Sequence, residues 1–317
     1  MILCLSGGVG GAKLVLGLSR VLDADTLVVA VNTGDDFLHL GLEVWPDFDT
    51  TLYTLAGVAN AEQGWGRAAE SWRVMDELRT LRGEIWFNLG DKDIALHLLR
   101  AQLRAGGRTA SEIAAILRDR FSVAPQVTPA TDQAVRTIVH SNESALPFQH
   151  YFVRDRAEPP VTRLSYEGAA SASFAPPILA ALHDPRLEAI VIAPSNPFLS
   201  IAPILAIAGA REVLRGAGVP IVAVTPIIAG AAVKGPTAKI MRELGLDASA
   251  AAIAAHYEDL IDGFVLDQAD VAQRAAIESR GIMCAVEQTL MREDADKIAL
   301  GERVLAFAKR CPLRARI

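Results

Sequence analysis

The chain has 317 residues, of which 51% are hydrophobic, 21% are charged and 6% are aromatic, and its net charge is −6. This length allows one large domain or two ordinary ones, and the interspersed charges are typical of a globular protein. The acidic balance excludes a general attraction to nucleic acid, so an anionic ligand would need a local site.

Cysteines and apolar runs narrow the protein class further. Three cysteines without metal-like spacing argue against a disulfide framework or a zinc site. No uninterrupted apolar run approaches the thickness of a bilayer, and the chain begins with a strand pattern instead of a signal peptide. We therefore expect a cytoplasmic protein without a membrane partner.

A glycine-rich turn joins the first predicted strand, residues 2–5, to a predicted helix at residues 12–22. Glycines allow left-handed backbone and close approach of a ligand, and the first amides of a helix attract anions. The spacing matches neither the usual dinucleotide fingerprint nor the Walker loop, so a tight turn without a ligand is the alternative. The residues predicted to contact a phosphate are Ser6, Gly7, Gly8, Val9, Gly10, Gly11 and Lys13.

Four aspartates follow the second predicted strand, residues 27–31. Asp35 and Asp36 stand at the tip of a turn, and Asp47 and Asp49 precede a helical run from residue 50. We expect one of the latter two to be an N-cap. Two aspartates near a phosphate loop also suit Mg²⁺, which takes few carboxylates together with substrate phosphates. We predict Asp47 and Asp49 as metal ligands and Asp49, Asp35 and Asp36 as catalytic residues.

The third predicted strand, residues 85–89, is followed by a Gly-Asp-Lys-Asp turn and a helix. Asp91 or Asp93 could cap this helix. The charge of Lys92 is unfavourable beside a helix N-terminus, so contact with a ligand would explain its presence. His97, one turn further on, is predicted to be a packed histidine without a chemical role.

Three later strands, residues 189–193, 219–224 and 263–266, alternate with helical segments. This alternation predicts an α/β fold with a doubly wound, Rossmann-like parallel sheet. Residues 105–185 differ, because a helix at 110–121 precedes alternating segments. There we predict an inserted helical and antiparallel-strand subdomain, within a single domain that spans residues 1–317.

Ligands of such sheets bind at the carboxyl ends of the strands, near the point where strand order reverses. Ser195 and Asn196 follow the fourth predicted strand, and Lys234 and Gly235 follow the fifth. A helix cap is the alternative for the first pair. We predict that all four contact a bound nucleotide.

Together these motifs resemble the 2-phospho-L-lactate transferase family of coenzyme F-420 biosynthesis. The matching segments are LSGGVGGAKL, VNTGDDF, WPDFDTTLYTLAG, NLGDKD, TPATDQAVRT, SNPFLSIAPILA and TPIIAGAAVKGPTAK, which span most of the chain. The resemblance implies Mg²⁺-dependent transfer of a phospholactyl or phosphoenolpyruvyl group. The donor would be a guanylylated three-carbon phosphoacid, the acceptor the ribityl hydroxyl of the deazaflavin Fo, and the leaving group GMP.

The acceptor site departs from the family pattern at one position. In the family the turn reads Gly-Asp-Arg, and the resemblance associates its arginine with the deazaflavin; here the residue is Lys92. Lysine keeps the charge but loses the planar, stacking guanidinium. The predicted acceptor residues are Asn32, Thr33, Asp49 and Lys92.

Direct displacement requires positioning and charge neutralisation more than a protein nucleophile. The glycine loop and Lys234 would hold the donor phosphates, Asp49 would hold Mg²⁺ and orient the acceptor hydroxyl, and Asp35 or Asp36 would accept its proton. Two alternatives stay open. A nicotinamide-dependent oxidoreductase is disfavoured, because the single acidic residue expected after the second strand is replaced by an Asn-Thr-Gly-Asp-Asp turn. The other is a nucleotide-binding regulator without transferase activity. The three-carbon acid and the oligomeric state, a homodimer included, also stay open.

Overall fold

The computed structural model describes residues 1–60, 64–142, 144–232 and 235–314. In chain order, the strands in these ranges are β1 (Ile2–Ser6), β2 (Leu27–Val31), β3 (Phe37–His39), β4 (Leu42–Val44), β5 (Gln126–Pro129), β6 (Arg136–His140), β7 (Ala145–Pro147), β8 (Arg163–Glu167), β9 (Ala189–Ile192), β10 (Ile221–Val224), β11 (Ile227–Ile228), β12 (Ala231–Ala232), β13 (Gly263–Asp267) and β14 (Met283–Glu287).

The α-helices are α1 (Gly8–Val21), α2 (Pro46–Leu55), α3 (Arg73–Thr80), α4 (Asp91–Ala105), α5 (Ala110–Arg120), α6 (Pro176–Leu182), α7 (Ala202–Leu205), α8 (Ala210–Gly216), α9 (Thr237–Glu243), α10 (Ala250–His256), α11 (Arg274–Glu278) and α12 (Asp294–Ala308). Short 3₁₀ segments occur at Ala24–Thr26, Ala169–Ser171 and Gln268–Gln273, and π-helical turns at His150–Arg154 and Pro197–Ile201. Over the described ranges, no single helix is long and apolar enough to cross a membrane, although one bent pair of helical segments meets those two criteria together.

Seven parallel strands form the main sheet, in the order β14-β13-β10-β9-β1-β2-β5. Alternate residues of β1 enter two separate cores: Leu3 and Leu5 face one layer of helices, and Ile2 and Cys4 face the other. This division follows from the two-residue period of a strand. A buried sheet covered on both faces by helices confirms the predicted doubly wound α/β fold.

The strand predictions succeed at the centre of the sheet and fail at residues 85–89. The predicted 27–31 coincides with β2, and the three later predictions correspond to β9, β10 and β13. Residues 85–89 do not form a strand; Trp86 and Phe87 pack instead on Phe37 of the β3–β4 hairpin. Short apolar runs with aromatic residues suit both a strand and a packed loop, so periodicity could not distinguish them.

The first helix begins four residues earlier than predicted, at Gly8. Glycine has low helix propensity, so the sequence placed the start at residue 12. The structure therefore puts the glycine loop itself into the first turn of α1, with Gly8 at a φ of +62°.

The segment 105–185 contains the predicted helix, α5, and the predicted antiparallel strands, in the order β7-β6-β8. One strand of the segment belongs elsewhere: β5 pairs with β2 at the edge of the main sheet. The antiparallel sheet therefore contains fewer strands of this segment than predicted. The organisation as one domain with an insertion stays a prediction.

The close crossing of α1 and α12 gives a stability prediction. A Cβ on Gly17 would lie 1.9 Å from the carbonyl oxygen of Lys297, so Gly17→Ala must separate the two helices. We expect the free energy of unfolding to fall by about 1–3 kcal/mol, as for other overpacked sites. Denaturant unfolding measures it. Gly216→Ala is the matched control, because among the described residues a Cβ there meets nothing within 4 Å. Equal losses in both variants would contradict this account.

Candidate active site

A cavity of about 670 Å³ lies at the carboxyl edge of the main sheet. The chain passes from β1 to β2 on one side and later to β9 on the other, so β1 and β9 flank the point where strand order reverses. Residues directly after β1, β9 and β10 line the cavity, among them Gly7, Ser195 and Thr225. This is the location expected for a ligand of an open α/β sheet.

The glycine loop is held against the loop that follows β9. The amide of Gly7 donates to Ser195 Oγ (3.0 Å), and the same hydroxyl donates to the Gly7 carbonyl (2.8 Å). A Cβ on Gly10 would lie 2.5 Å from the Pro194 carbonyl oxygen, and one on Gly11 2.5 Å from Ser195 Oγ. The glycines are therefore required by packing, whether or not a ligand approaches them.

The other predicted donor residues differ in their surroundings. Gly8, Val9, Lys13 and Gly235 line the cavity together with Asn196. The Asn196 side chain accepts the amides at the start of the following helical turn, as the capping alternative predicted. The Lys13 ammonium donates to the Met291 carbonyl (2.8 Å). Ser6 is buried behind the loop. Lys234 lies outside the described residues.

Asn32 is a buried hub, and its amide uses both its oxygen and its nitrogen. Its oxygen accepts the amide of Gly34 (2.8 Å), and its nitrogen donates to Asp47 Oδ2 (2.9 Å) and to the Leu199 carbonyl (3.1 Å). The side chain therefore ties the end of β2 to α2 and to the segment after β9. The neighbouring Thr33 is also buried, and its carbonyl accepts from Arg136 (3.3 Å). Among the described residues, neither Asn32 nor Thr33 belongs to the cavity lining; both support the segments that form it.

Asp47 does not cap α2; the N-cap position is held by Trp45, with Pro46 in the first turn. Its carboxylate instead accepts from Asn32 and from the amide of Gly8 in the glycine loop. The expectation of an aspartate cap was wrong, because the proline starts the helix and the aspartate reaches across to α1.

Asp35, Asp36, Asp47 and Asp49 are all buried. Burial raises the pKa of each, and for Asp35 the neighbouring Asp47 and Asp36 carboxylates raise the pKa further. Among the described atoms, Asp35 Oδ1, Asp36 Oδ1 and Asp49 Oδ2 are buried without a hydrogen-bond partner. Asp35, Asp47 and Asp49 line the cavity. Such a group of crowded oxygen acceptors favours a cation.

Asp49 forms a buried ion pair with Arg100 of α4. The guanidinium also donates to the Glu43 carbonyl (2.9 Å) and lies over the Trp45 ring, 4.2 Å from its centroid. His97 Nδ1 lies 3.1 Å from Arg100 Nη1, and burial lowers the pKa of His97 to about 3. Arg100 was not predicted from the sequence, although its spacing from Asp93 and His97 places all three on one face of a helix.

Asp91, Lys92 and Asp93 start α4, but they have three different roles. Asp91 accepts the amides of Arg73 (3.2 Å) and Val74 (3.1 Å), and so caps α3 instead of its own helix. Asp93 accepts from Tyr53 Oη (2.7 Å), and burial raises its pKa to about 6.

The Lys92 ammonium donates to the carbonyls of Ala68 (3.0 Å) and Ala69 (2.6 Å). Among the described residues, Lys92 does not belong to the set that lines the cavity. Two backbone carbonyls therefore explain a lysine at this helix start, and its contact with an acceptor stays a prediction.

An aromatic wall faces this polar side of the cavity. It consists of Trp65, Trp86, Phe87, Phe148 and Phe152. Trp86 packs edge-on against His150, Phe148 stacks on Phe152, and Trp65 keeps 46% of its surface exposed. This wall was not predictable from the sequence, because its members come from three separate segments and share no periodic pattern.

The acidic residues of the cavity do not form a complete metal site by themselves. The described residues contain no group of three or more His, Cys, Asp or Glu side chains that could by themselves hold a metal ion. Asp35 and Asp47 nevertheless offer hard oxygen atoms beside the start of α1. A site with few carboxylates completed by ligand phosphates is the arrangement that Mg²⁺ prefers.

Comparison with known proteins identifies relatives along nearly the whole chain. The family model described as 2-phospho-L-lactate transferase CofD matches residues 2–305. Proteins named phosphoenolpyruvate transferase are similar to it. That of Kitasatospora aureofaciens is 39% identical, covering 97% of this chain and 98% of that protein. That of Streptomyces coelicolor is 40% identical, covering 92% and 93%, and that of Mycobacterium tuberculosis 37%, covering 88% and 91%.

Among solved structures, a UPF0052 family member from Bacillus halodurans is similar in fold. Its TM-score is 0.62 at 12% identity, and the match covers 96% of this chain and 98% of that chain. At this identity the likeness supports the fold alone.

The crowded carboxylates give a prediction about pH. Because the folded-state pKa of Asp35 is raised, the protonated side chain favours the folded state at acid pH. This contribution to stability is lost as pH rises through that pKa. We expect Asp35→Asn, in EDTA, to melt at a higher temperature than the wild type at about pH 8 and to keep only a small part of that advantage near about pH 5. The difference between the two proteins cancels the opposite effect of the buried histidines, whose lowered pKa values favour higher pH.

Asp91→Asn is the control for this comparison. The pKa of Asp91 is lowered by hydrogen bonds from Ser71 and the start of α3, so its contribution is complete above the ordinary carboxyl range. Its melting difference from the wild type should be negative and constant between about pH 5 and about pH 8. A constant difference for Asp35→Asn as well would contradict the account of Asp35.

Proposed function

Since this chain belongs to the family of 2-phospho-L-lactate transferase CofD, we propose that it transfers a phosphoenolpyruvyl group to the ribityl hydroxyl of the deazaflavin Fo. The donor in this proposal is phosphoenolpyruvate activated by a guanosine diphosphate linkage, and GMP leaves. The reaction would serve coenzyme F-420 biosynthesis. The names of these relatives favour phosphoenolpyruvate over phospholactate as the three-carbon acid.

The donor side of the proposal depends on the start of α1. This helix begins at the cavity with Gly7 as its N-cap. Ser195 and Asp47 accept the amides of Gly7 and Gly8, so a diphosphate would meet the next amides of the first turn, those of Val9 and Gly10. Lys13, one turn into α1, also lines that space. The loop after β9 stands beside it, and Ser195 keeps the glycine loop in place through its two hydrogen bonds with Gly7.

Mg²⁺ fits the same corner. Asp47 bridges Asn32 and the Gly8 amide, and Asp35 has a buried oxygen with no partner among the described residues. When bound, Mg²⁺ would neutralise the charge that develops on the transferred phosphoryl group. We propose Asp35 and Asp47 as its ligands. Asp49 is less suited, since Arg100 already neutralises one of its oxygens.

The acceptor side combines the aromatic wall with the polar face of α2 and α4. Flat rings stack on aromatic side chains, and a polyhydroxyl chain needs hydrogen-bond partners. Trp65 and Trp86 offer aromatic surfaces on which the ring can stack. Asp49, Asp93 and Tyr53 offer hydrogen-bond partners for the polyhydroxyl chain. One cavity can therefore hold a deazaflavin beside a nucleotide diphosphate.

In the reaction, the ribityl oxygen forms a bond to the phosphorus that bears the enolpyruvyl group. The bond from that phosphorus to the oxygen of the GMP phosphate breaks, and the hydroxyl proton passes to a carboxylate. Asp35 lines the cavity, so one of its oxygens can accept the proton while the other binds Mg²⁺. Asp36, behind it, has a raised pKa but does not line the cavity among the described residues.

One observation carries the proposal: the start of α1, carboxylate oxygens without a partner among the described residues, and an aromatic wall all border the same 670 Å³ cavity. The test is to incubate the protein with Fo, Mg²⁺ and either guanylylated phosphoenolpyruvate or guanylylated phospholactate. We expect the dehydro product and GMP by mass spectrometry from the first donor. Product from neither donor, with GDP still bound, would favour the regulator over the transferase.

Asp47→Asn tests the metal corner. We expect at least about a hundredfold loss of turnover at saturating Mg²⁺, because the lost charge stabilises the transition state by several kcal/mol. The asparagine can still accept from Asn32 and Gly8, so thermal stability should be retained. Asp91→Asn, whose carboxylate caps α3, is the control and should turn over normally. Near-normal rates for Asp47→Asn would exclude Asp47 as a metal ligand.

Trp65→Ala tests the aromatic wall. Trp65 is half exposed at the cavity and lies between Gly64 and Gly66, both at positive φ, so its removal should leave the fold intact. We expect the KM for Fo to rise about threefold to tenfold through lost stacking, with donor affinity unchanged and Trp65→Phe retaining most of the affinity. Leu81→Ala, an exposed apolar side chain outside the cavity, is the control. An unchanged KM would remove Trp65 from the acceptor site.

A further inference from the structure

A proline leaves two carbonyl groups without backbone partners in the helical turn that follows β9. In this π turn, Pro197–Ile201, two amides donate to carbonyls five residues earlier instead of four. The next amide in that series would come from Pro203, which has no N–H group. The buried carbonyls of Phe198 and Leu199, five and four residues before this proline, therefore need other donors.

Two side chains from distant segments supply these hydrogen bonds. The Tyr166 hydroxyl, on β8 of the inserted antiparallel sheet, donates to the Phe198 carbonyl (2.7 Å). The Asn32 side chain, directly after β2, donates to the Leu199 carbonyl (3.1 Å). Because Phe198 and Leu199 are consecutive, Tyr166 and Asn32 hold adjacent peptide groups. The inserted sheet and the end of β2 are therefore attached to the same turn.

Through Asn32 and the glycine loop, the π turn contacts the surroundings of Asp47. Asn32 divides its amide nitrogen between the Leu199 carbonyl and Asp47 Oδ2 (2.9 Å). A Cβ on Gly7 would lie 2.6 Å from Ser200 Cβ and also 2.6 Å from Asp47 Oδ2, so the turn, the glycine loop and the carboxylate are closely packed. A shift of the π turn would therefore displace both the amide nitrogen and the loop that hold Asp47.

A second set of contacts leads to the turn that carries Asp35. Pro203 packs on Gly34, where a Cβ would lie 2.7 Å from the proline Cγ and 2.5 Å from Thr137 Oγ1 of β6. The Gly34 carbonyl accepts the Thr137 amide (2.8 Å). Thr137 and Tyr166 are direct cross-strand partners in the register of β6 with β8. One residue pair of the inserted sheet thus holds the Asp35 turn on one side and the π turn on the other.

We propose that Tyr166 is a positioning residue for the metal corner, which consists of Asp35 and Asp47. Its hydroxyl fixes the π turn at the distance from the Asp35 turn at which both carboxylates reach one cation. Among the described residues, Tyr166 does not line the cavity, so it acts through the turn and not by contact with a ligand. This inference rests on the proposed function, which supplies the cation.

Tyr166→Phe tests the inference, because it removes the hydroxyl and keeps the ring. Mn²⁺ is the probe in place of Mg²⁺, and its binding in the presence of GDP is followed by the loss of the free-ion EPR signal. We expect the Kd for Mn²⁺ to rise about threefold to tenfold, the range that one lost hydrogen bond gives. The Mg²⁺ concentration needed for half-maximal turnover should rise by the same factor, with the KM for Fo unchanged.

Two further variants complete the design. Tyr151→Phe is the matched control, because the Tyr151 hydroxyl also belongs to the insertion and accepts a hydrogen bond, from Lys239 Nζ (3.3 Å). Neither residue belongs to the described lining of the cavity, so this variant should bind Mn²⁺ as the wild type does. Asp47→Asn should bind Mn²⁺ far more weakly, which assigns the EPR signal to the metal corner.

The outcomes separate this inference from the proposed function. Wild-type Mn²⁺ affinity in Tyr166→Phe, together with weak binding in Asp47→Asn, would overturn the role of Tyr166 alone. An equal rise in the KM for Fo, or an equal loss of Mn²⁺ affinity in Tyr151→Phe, would mean that the hydroxyl acts only through general stability, and would also overturn it. No Mn²⁺ binding by the wild type, or unchanged binding in Asp47→Asn, would contradict the metal corner itself.

Discussion

Buried negative charge is the constraint on which the cavity depends. Four aspartates crowd around its base, and burial raises the pKa of each because the charged forms lose water. Arg100 neutralises Asp49, and Arg136 lies near enough to lower the pKa of Asp36. Asp35 and Asp47 have uncharged hydrogen-bond partners instead: the Asn32 side chain for both carboxylates, and the Gly8 amide for Asp47. A cation at this corner would neutralise the remaining negative charge.

Much of the surrounding structure holds these groups in position. Asn32 joins three separate segments with one side-chain amide, and Ser195 joins the glycine loop to the loop that follows β9. Glycines at positions 10 and 11 permit that contact. Residues that resembled ligand-binding groups therefore include several that position the backbone instead. A phosphate site made of amides needs this kind of rigid support.

The two ends of the cavity serve different chemistry. At the end near α1, helix amides and carboxylates suit a diphosphate with a cation. At the end near α4, the ion pair of Asp49 with Arg100 orients His97, and the aromatic wall faces both. Because α2 contributes Asp47 to one end and Asp49 to the other, this one helix sets the spacing between them. In the proposed reaction, the donor and the acceptor would then meet at Asp35.

By itself, the sequence determined the α/β class, the central strands, the glycine loop and the aspartate cluster. These features are local: a buried strand, a loop-to-helix junction and an acidic turn each leave their mark within a few residues. The family resemblance, stated on the same motifs, is confirmed by the match over residues 2–305.

Only the tertiary structure decided which side chains face the cavity. It placed β5 at the sheet edge, turned residues 85–89 into part of an aromatic wall, and directed Lys92 to two backbone carbonyls. It also paired Asp49 with Arg100, 51 positions away. Such contacts join segments distant in the chain, and the free energy of each depends on burial that no local pattern encodes.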